Sequence, residues 1–308
     1  MKGVGQVTEI LSIQHLSKNF GKKQALKNIN FTLQQGQIVG LVGPNGAGKT
    51  TIMKALLGLI HYQEGTIQIN GLPISPTSHK GLKEVGALIE YPGIYPFLTG
   101  YDHLKLFSET KDKATIDNLV AMLKMTEYIQ KKAKSYSLGM KQKLGIALAL
   151  LNSPELVVLD EPMNGLDPQA TRDVREIILS LAKTGTTFLI SSHILSELEK
   201  ISDQFIIINN GEITRQCSID ELSQSAKHYF LLKTSQNELA RELLIKEKFV
   251  IESPTELKVV KETEDQLSDI IQLLSTNGIQ VNDIQHLDND LESCLLEILD
   301  EKKAGVQE

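Results

Sequence analysis

The sequence predicts an α/β fold in two parts, a large domain built on a parallel sheet and a small α+β domain after it. Three observations lead there. Apolar runs at 38–42, 156–159 and 187–190 are each followed by a turn and a helical pattern, as buried parallel strands with crossover helices are. Residues 8–35 alternate apolar and polar positions through Ile10, Leu11, Ile13, Leu26, Ile29, Phe31 and Leu33, the period of antiparallel strands with one wet face. Beyond about residue 222 the order becomes strand, helix, two strands, helix, strand, which suits a small ferredoxin-like domain.

Element by element, the first strand pair bends at the turn-prone segment 19–23, and 37–42 is a buried strand leading to a helix over 48–60. A second strand pair at 66–70 closes on Asn70-Gly71. Residues 80–152 are mainly helical, with Ile116, Leu119, Val120 and Leu123 at helical spacing. A hairpin of 205–208 and 212–214 turns at Asn210-Gly211. In the last part, strands are expected at 229–233, 249–252, 257–261 and 281–286, with helices at 238–246, 265–275 and 291–299. The expected boundaries are 1–225 for the large domain, with a helical subdomain at about 87–155, and 226–308 for the accessory one.

Composition narrows the function. The 41% apolar and 23% charged content suits a globular chain and rules out disorder or a collagen-like repeat. A net charge of −6 without a long basic tract argues against nucleic acid as a partner. Cys217 and Cys294 lack metal-like spacing and read as two unpaired thiols in a reducing cytosol. The opening MKGVGQVTEILSIQ has no signal-peptide core, and no apolar run approaches the roughly 18–20 residues that span a bilayer.

Gly43-Pro-Asn45-Gly46-Ala-Gly48-Lys49-Thr50 fits G-x-x-x-x-G-K-[ST] between a buried strand and a helix. Its glycines let backbone N–H groups approach a phosphate, and the helix start turns its positive dipole end to the same point. Lys49 can bridge the β- and γ-phosphates, Thr50 can ligate Mg²⁺, and Thr51 can reach the α-phosphate. Leu156-Val-Val-Leu-Asp160-Glu161 delivers two acids at a strand end. Asp160 can hold hydrated Mg²⁺, and Glu161 can orient or deprotonate an attacking water. Alone, such a pair is more often two solvated acids; beside the phosphate loop it points to a P-loop nucleotidase.

With these motifs the chain resembles the ABC (ATP-binding cassette) ATPases over residues 8–225. Tyr136-Ser137-Leu-Gly139-Met-Lys-Gln142 stands where that family has its LSGGQ signature, matching at Ser137 and Gly139 and departing at Tyr136, Leu138 and Met140. Asn164-Gly-Leu-Asp167 resembles the loop that crosses between dimer partners, and Ser191-Ser-His193 the histidine switch. The resemblance implies a P-loop cassette: a RecA-like core with an antiparallel β-subdomain and a helical subdomain. It also implies ATP and Mg²⁺ as cofactors, and a homodimer or a heterodimer with a similar ATPase. An integral-membrane permease would be the further partner, with the chain peripheral on the cytoplasmic face of the membrane. Glu161, His193 and Lys49 would be catalytic. Ser137 and Gly139 would complete the partner subunit's site, although Ser137 also reads as a plain helix N-cap. Phe20 occupies the place of an adenine-stacking aromatic, with a core position as the alternative.

Glu90 departs from the glutamine usual in the family, keeping an acceptor for Mg²⁺ or water but adding a negative charge near a triphosphate. That glutamate, the Tyr-Pro-Gly-Ile-Tyr-Pro-Phe-Leu-Thr stretch after it and the SLGMKQ signature resemble the ATPases of bacitracin-resistance and lantibiotic self-protection exporters. Residues 90–107 would then carry the permease contact through Tyr91, Tyr95 and Phe97, with a packed loop as the other reading. A soluble ABC protein acting on ribosomes, or a regulatory module, is the rival function. The single cassette and the intact Asp160-Glu161 pair weigh against it.

Overall fold

The computed structural model describes residues 8–224, 228–263 and 265–288. The chain divides into two compact units, Met1–Ile219 and Asp220–Glu308. The first unit runs β1 (Glu9–Phe20), β2 (Lys23–Gln34), β3 (Ile38–Val42), α1 (Lys49–Leu56), β4 (Glu64–Ile69), β5 (Leu72–Pro73) and β6 (Val85–Leu88). It continues through α2 (Gly100–Phe107), α3 (Lys113–Met122), α4 (Leu138–Leu150), β7 (Leu156–Asp160), α5 (Pro168–Lys183) and β8 (Thr187–Ser192). The helix α6 (Leu195–Leu198) and the hairpin β9 (Gln204–Asn209) and β10 (Glu212–Ser218) follow, and the short α7 (Ile219–Gln224) starts at the boundary between the units.

Two sheets result. The first has the order β2-β1-β4-β5 and the second β10-β9-β3-β8-β7-β6. In the second, β6, β7, β8, β3 and β9 are mutually parallel, and β10 pairs antiparallel with β9. Every residue of β3, β7 and β8 is buried, which is why these segments read as unbroken apolar runs rather than alternating ones. Strand β2 keeps the alternation at Ile29, Phe31 and Leu33, whereas β1 buries four residues in a row, Ile10 to Ile13.

The core explains how the phosphate loop is held. Ile52, Met53 and Leu56 of α1 share one apolar cluster with Leu11, Ile13, Leu26 and Ile67 of the first sheet and with Val39, Leu41, Val158 and Ile206 of the second. Helix α1 is therefore gripped by both sheets. Fully burying each such side chain contributes about 1.5–3 kcal/mol. It is shorter than the expected 48–60: Leu57 closes the last turn through Met53 O, and Gly58 follows at φ 65, a left-handed terminus. The mainly helical stretch 80–152 also contains β6, a four-residue edge strand too short to show a period.

In the second unit β11 (His228–Thr234), α8 (Asn237–Lys246), β12 (Leu257–Lys261), α9 (Gln266–Thr276) and β13 (Val281–Asp288) form an antiparallel sheet of order β12-β11-β13. Phe230, Leu232, Leu257 and Val259 pack against Ala240, Leu244, Ile270 and Leu274 of its two helices. The expected strand at 249–252 is reduced to one bridge, Ile251 with Val259. The helix expected at 291–299, and with it Cys294, lies outside the described residues. Among the described residues no helix is long and apolar enough to cross a membrane.

Candidate active site

The phosphate loop leaves β3 and enters α1 through two left-handed glycines, Gly46 at φ 80 and Gly48 at φ 118. A Cβ on Gly43 would stand 2.2 Å from Ile208 O, so the loop packs directly on β9 and admits no side chain there. Around Gly46 the space is open. Loop and helix line a cavity of about 490 Å³ with Phe20, Asn45, Gly46, Gly48, Lys49, Thr50, Thr51, Glu161 and the Asn210-Gly211 turn.

The charged groups meet at the strand ends. Lys49 is buried, and its Nζ donates to Gly43 O at 2.6 Å and lies 3.5 Å from Glu161 Oε1. The other Glu161 oxygen, Oε2, is 2.9 Å from His193 Nδ1, and Asn164 Nδ2 donates to it at 3.4 Å. Glu161 itself takes φ 48, a left-handed backbone uncommon outside glycine, and its carboxylate meets partners different from those of Asp160. Two adjacent acids thereby serve two places.

Asp160 is 3% exposed, accepts from Thr50 Oγ1 at 2.7 Å through Oδ2, and accepts from Ser191 Oγ at 2.5 Å through Oδ1. Thr50 and Asp160 converge as hard oxygen donors, a set that fits Mg²⁺ completed by phosphate and water rather than an all-protein cage. Among the described residues there is no cluster of three or more His, Cys, Asp and Glu side chains that could hold a metal unaided.

Glu90, Ser137 and Gly139 stand apart from this cavity. Glu90, two residues past β6 at φ 59, pairs with Lys54 Nζ at 2.6 Å. Ser137 caps α4, accepting from Met140 N at 3.3 Å, and Gly139 packs beside Gly165 O and Leu166. Neither lines the cavity. Phe20 does, at 52% exposure, with Lys18 Nζ 4.6 Å from its ring centre. Where the signature departs from leucine, Tyr136 is buried and donates its hydroxyl to Tyr128 O at 2.9 Å; burial pushes its phenol up.

Ser191, Gln142 and Lys54 have no role that the sequence shows by itself. Ser191 is fully buried and also accepts from Glu161 N at 2.9 Å, so one hydroxyl sets both acids. Gln142 Nε2 donates to Pro162 O at 3.1 Å, tying α4 to the chain just after Glu161. Only Lys54 leaves a trace in the sequence, at four residues from Thr50 on one helix.

Comparison with known proteins decides the family. A family model described as ABC transporter matches residues 26–164. The lantibiotic transport ATP-binding protein SrtF of Streptococcus pyogenes is 42% identical over 213 residues, 68% of this chain and 92% of its own. The chain belongs to the ABC transporter ATP-binding proteins. This ABC protein is also similar to the bacitracin transport ATP-binding protein BcrA of Enterococcus faecalis, 36% identical over 239 residues, 76% of this chain and 78% of that one. A solved ATP-binding subunit of an ABC transporter matches with TM-score 0.65 and 30% identity over 70% of this chain and 92% of its own. The three-stranded sheet of the second unit lies beyond that coverage. As an ABC ATPase the chain binds ATP and hydrolyses it.

Proposed function

We propose that this ATPase, peripheral on the cytoplasmic face of the cell membrane, energises export of a peptide antibiotic, lantibiotic or similar amphipathic compound through a separate integral-membrane permease. The observation that carries the catalytic part is Glu161, held between Lys49 and His193 at the mouth of the phosphate loop. When bound, Mg·ATP supplies the phosphoryl group and the charge to which these residues respond. Lys49 exchanges its carbonyl and carboxylate partners for phosphate oxygens, which frees Glu161 to orient and deprotonate the attacking water. His193 steadies the γ-phosphate end, Thr50 and Asp160 would hold Mg²⁺, and Glu90 would offer a further acceptor to Mg²⁺ or water. Phe20, on the cavity wall, stacks on the adenine.

Two chains close over two nucleotides in this reading, each offering Ser137 and Gly139 at the N-terminus of α4 to the other's phosphates. Its support is that both residues stand at a helix start outside their own chain's cavity. The likeness to BcrA and SrtF favours export of a peptide antibiotic. Tyr91 (82% exposed) and Phe97 (65%) offer apolar surface for the permease. The second unit reads as a ferredoxin-like accessory domain, with the Ile251 bridge at the place of its fourth strand.

A tagged Glu161→Gln chain, purified with ATP from detergent-solubilised membranes of the native host, tests this. It should bind ATP, dimerise, turn over at under about 1% of the wild-type rate and bring down a multispanning permease. Full turnover refutes the role of Glu161. Ribosomes or no membrane partner refute the transport role.

A further inference from the structure

Glu90 and Glu161 occupy matching places. Leu88 of β6 pairs with Leu159 of β7, so two residues on, positions 90 and 161 leave neighbouring parallel strands at the same level. Both adopt left-handed backbones, φ 59 and φ 48. Each carboxylate is met by a lysine of α1, Glu161 by Lys49 at 3.5 Å and Glu90 by Lys54 at 2.6 Å. Lys54 follows Thr50 by four residues, which puts the two on one helix face with Cβ atoms about 5–6 Å apart. Thr50 in turn bonds Asp160. Lys54 thus stands on α1 one helical turn after Thr50, whose hydroxyl is assigned to Mg²⁺.

We propose that Lys54 is a positioning residue and counter-charge for Glu90, pinning its carboxylate outside the cavity, beside the α1 turn that follows Thr50, and cancelling its repulsion of the phosphates. This rests on the nucleotide site described above. Asp160, Glu161 and Glu90 bring three negative charges to two adjacent strand ends, and Lys49 neutralises only one of them. A glutamine at position 90 would need no such partner; a glutamate does. The side chains of Lys54 and Glu90 are 30% and 56% exposed, and an ion pair so placed adds little to fold stability. Its effect falls instead on binding, since an uncancelled charge acts over several ångströms on a highly charged ligand.

The test is a charge cycle on the full chain, reading the Kd of a fluorescent non-hydrolysable ATP analogue with Mg²⁺. Lys54→Met should weaken binding about five- to ten-fold, with its melting temperature unchanged. Adding Glu90→Gln to that variant should restore the Kd to within about two-fold of wild type, because the pair is removed as a neutral unit. Lys54→Arg, which keeps the charge, should bind as wild type does. Unchanged binding in Lys54→Met, or a double variant as weak as the single one, overturns the proposal. Lys49→Ala separates the two levels. If it abolishes binding while Lys54→Met does nothing, the counter-charge alone fails; if neither changes binding, the site assignment beneath it fails.

Discussion

Replacing Ser191 by alanine removes one oxygen atom and disturbs both acids of the site. The hydroxyl is fully buried, donates to Asp160 Oδ1 at 2.5 Å and accepts from Glu161 N at 2.9 Å. Alanine leaves a buried carboxylate oxygen and a backbone N–H without their partners, and each such loss costs about 1–3 kcal/mol. The other Asp160 oxygen keeps Thr50, so the sum falls at about 2–4 kcal/mol. Urea unfolding of the cassette transition, followed by circular dichroism without nucleotide, measures it. Turnover should fall as well, because the left-handed backbone at Glu161 loses the bond that anchors its amide, and each 1.4 kcal/mol missing from the transition state is about tenfold in rate. A drop of at least about tenfold in kcat, larger than any change in KM, is expected. A stability loss under about 0.5 kcal/mol with unchanged kcat would refute the claim that this hydroxyl organises the site.

Two further predictions lie away from the nucleotide. The Tyr128 hydroxyl is buried without a hydrogen-bond partner, and burial followed by its neighbour Tyr136 pushes its phenol up. Tyr128→Phe should therefore be neutral or stabilising by up to about 1 kcal/mol, and a clear loss in thermal unfolding would contradict that. Asp173 of α5 is buried and accepts from Lys124, Gln169 and Lys143 of α4 at 2.8, 2.9 and 3.4 Å. Burial raises its carboxyl, but the bonds from Lys124 and Gln169 and the charges of Lys124 and Lys143 outweigh it, holding the group below its ordinary value of 3.8. A lowered folded value means a stabilising contribution that is complete above the ordinary value and lost as pH falls through the folded one. Asp173→Asn should thus lower the melting temperature by an amount constant from pH 7 to about pH 4.5, narrowing toward about pH 3. A gap that widens on acidification would be the contrary result.

Much of the cassette is legible in the sequence because its physics is local. The runs at 38–42, 156–159 and 187–190 are buried on both faces of a sheet, and burial of that kind leaves no polar gaps in a strand. The phosphate loop is legible because its glycines answer to backbone geometry within a few residues. What stays hidden is what distant segments do to one another. Strand β6 has four residues and one neighbour, too few for a period, and its place comes from pairing with β7 across 71 residues of chain (Val85 with Leu156). The bonds of Ser191 and the pairing of Lys54 with Glu90 likewise join parts far apart in sequence. The apolar run Phe249-Val-Ile suggests a strand at 249–252, yet its pairing with β12 stops at the Ile251–Val259 bridge and the two backbone bonds flanking it, Glu252 N to Lys258 O and Val260 N to Val250 O.

The crowding around Gly165 sets how far a signal has to travel. A Cβ there would stand 2.4 Å from the Leu138 side chain, so the turn after Glu161 and the turn that starts α4 are in direct contact through that leucine. Gln142 spans the same gap to Pro162 O, and Asn164 reaches back to Glu161. The acid proposed to handle water and the helix start proposed to face a second chain are thus joined by direct contacts. Any coupling between the two therefore has only Gln142 and the Gly165–Leu138 contact to cross.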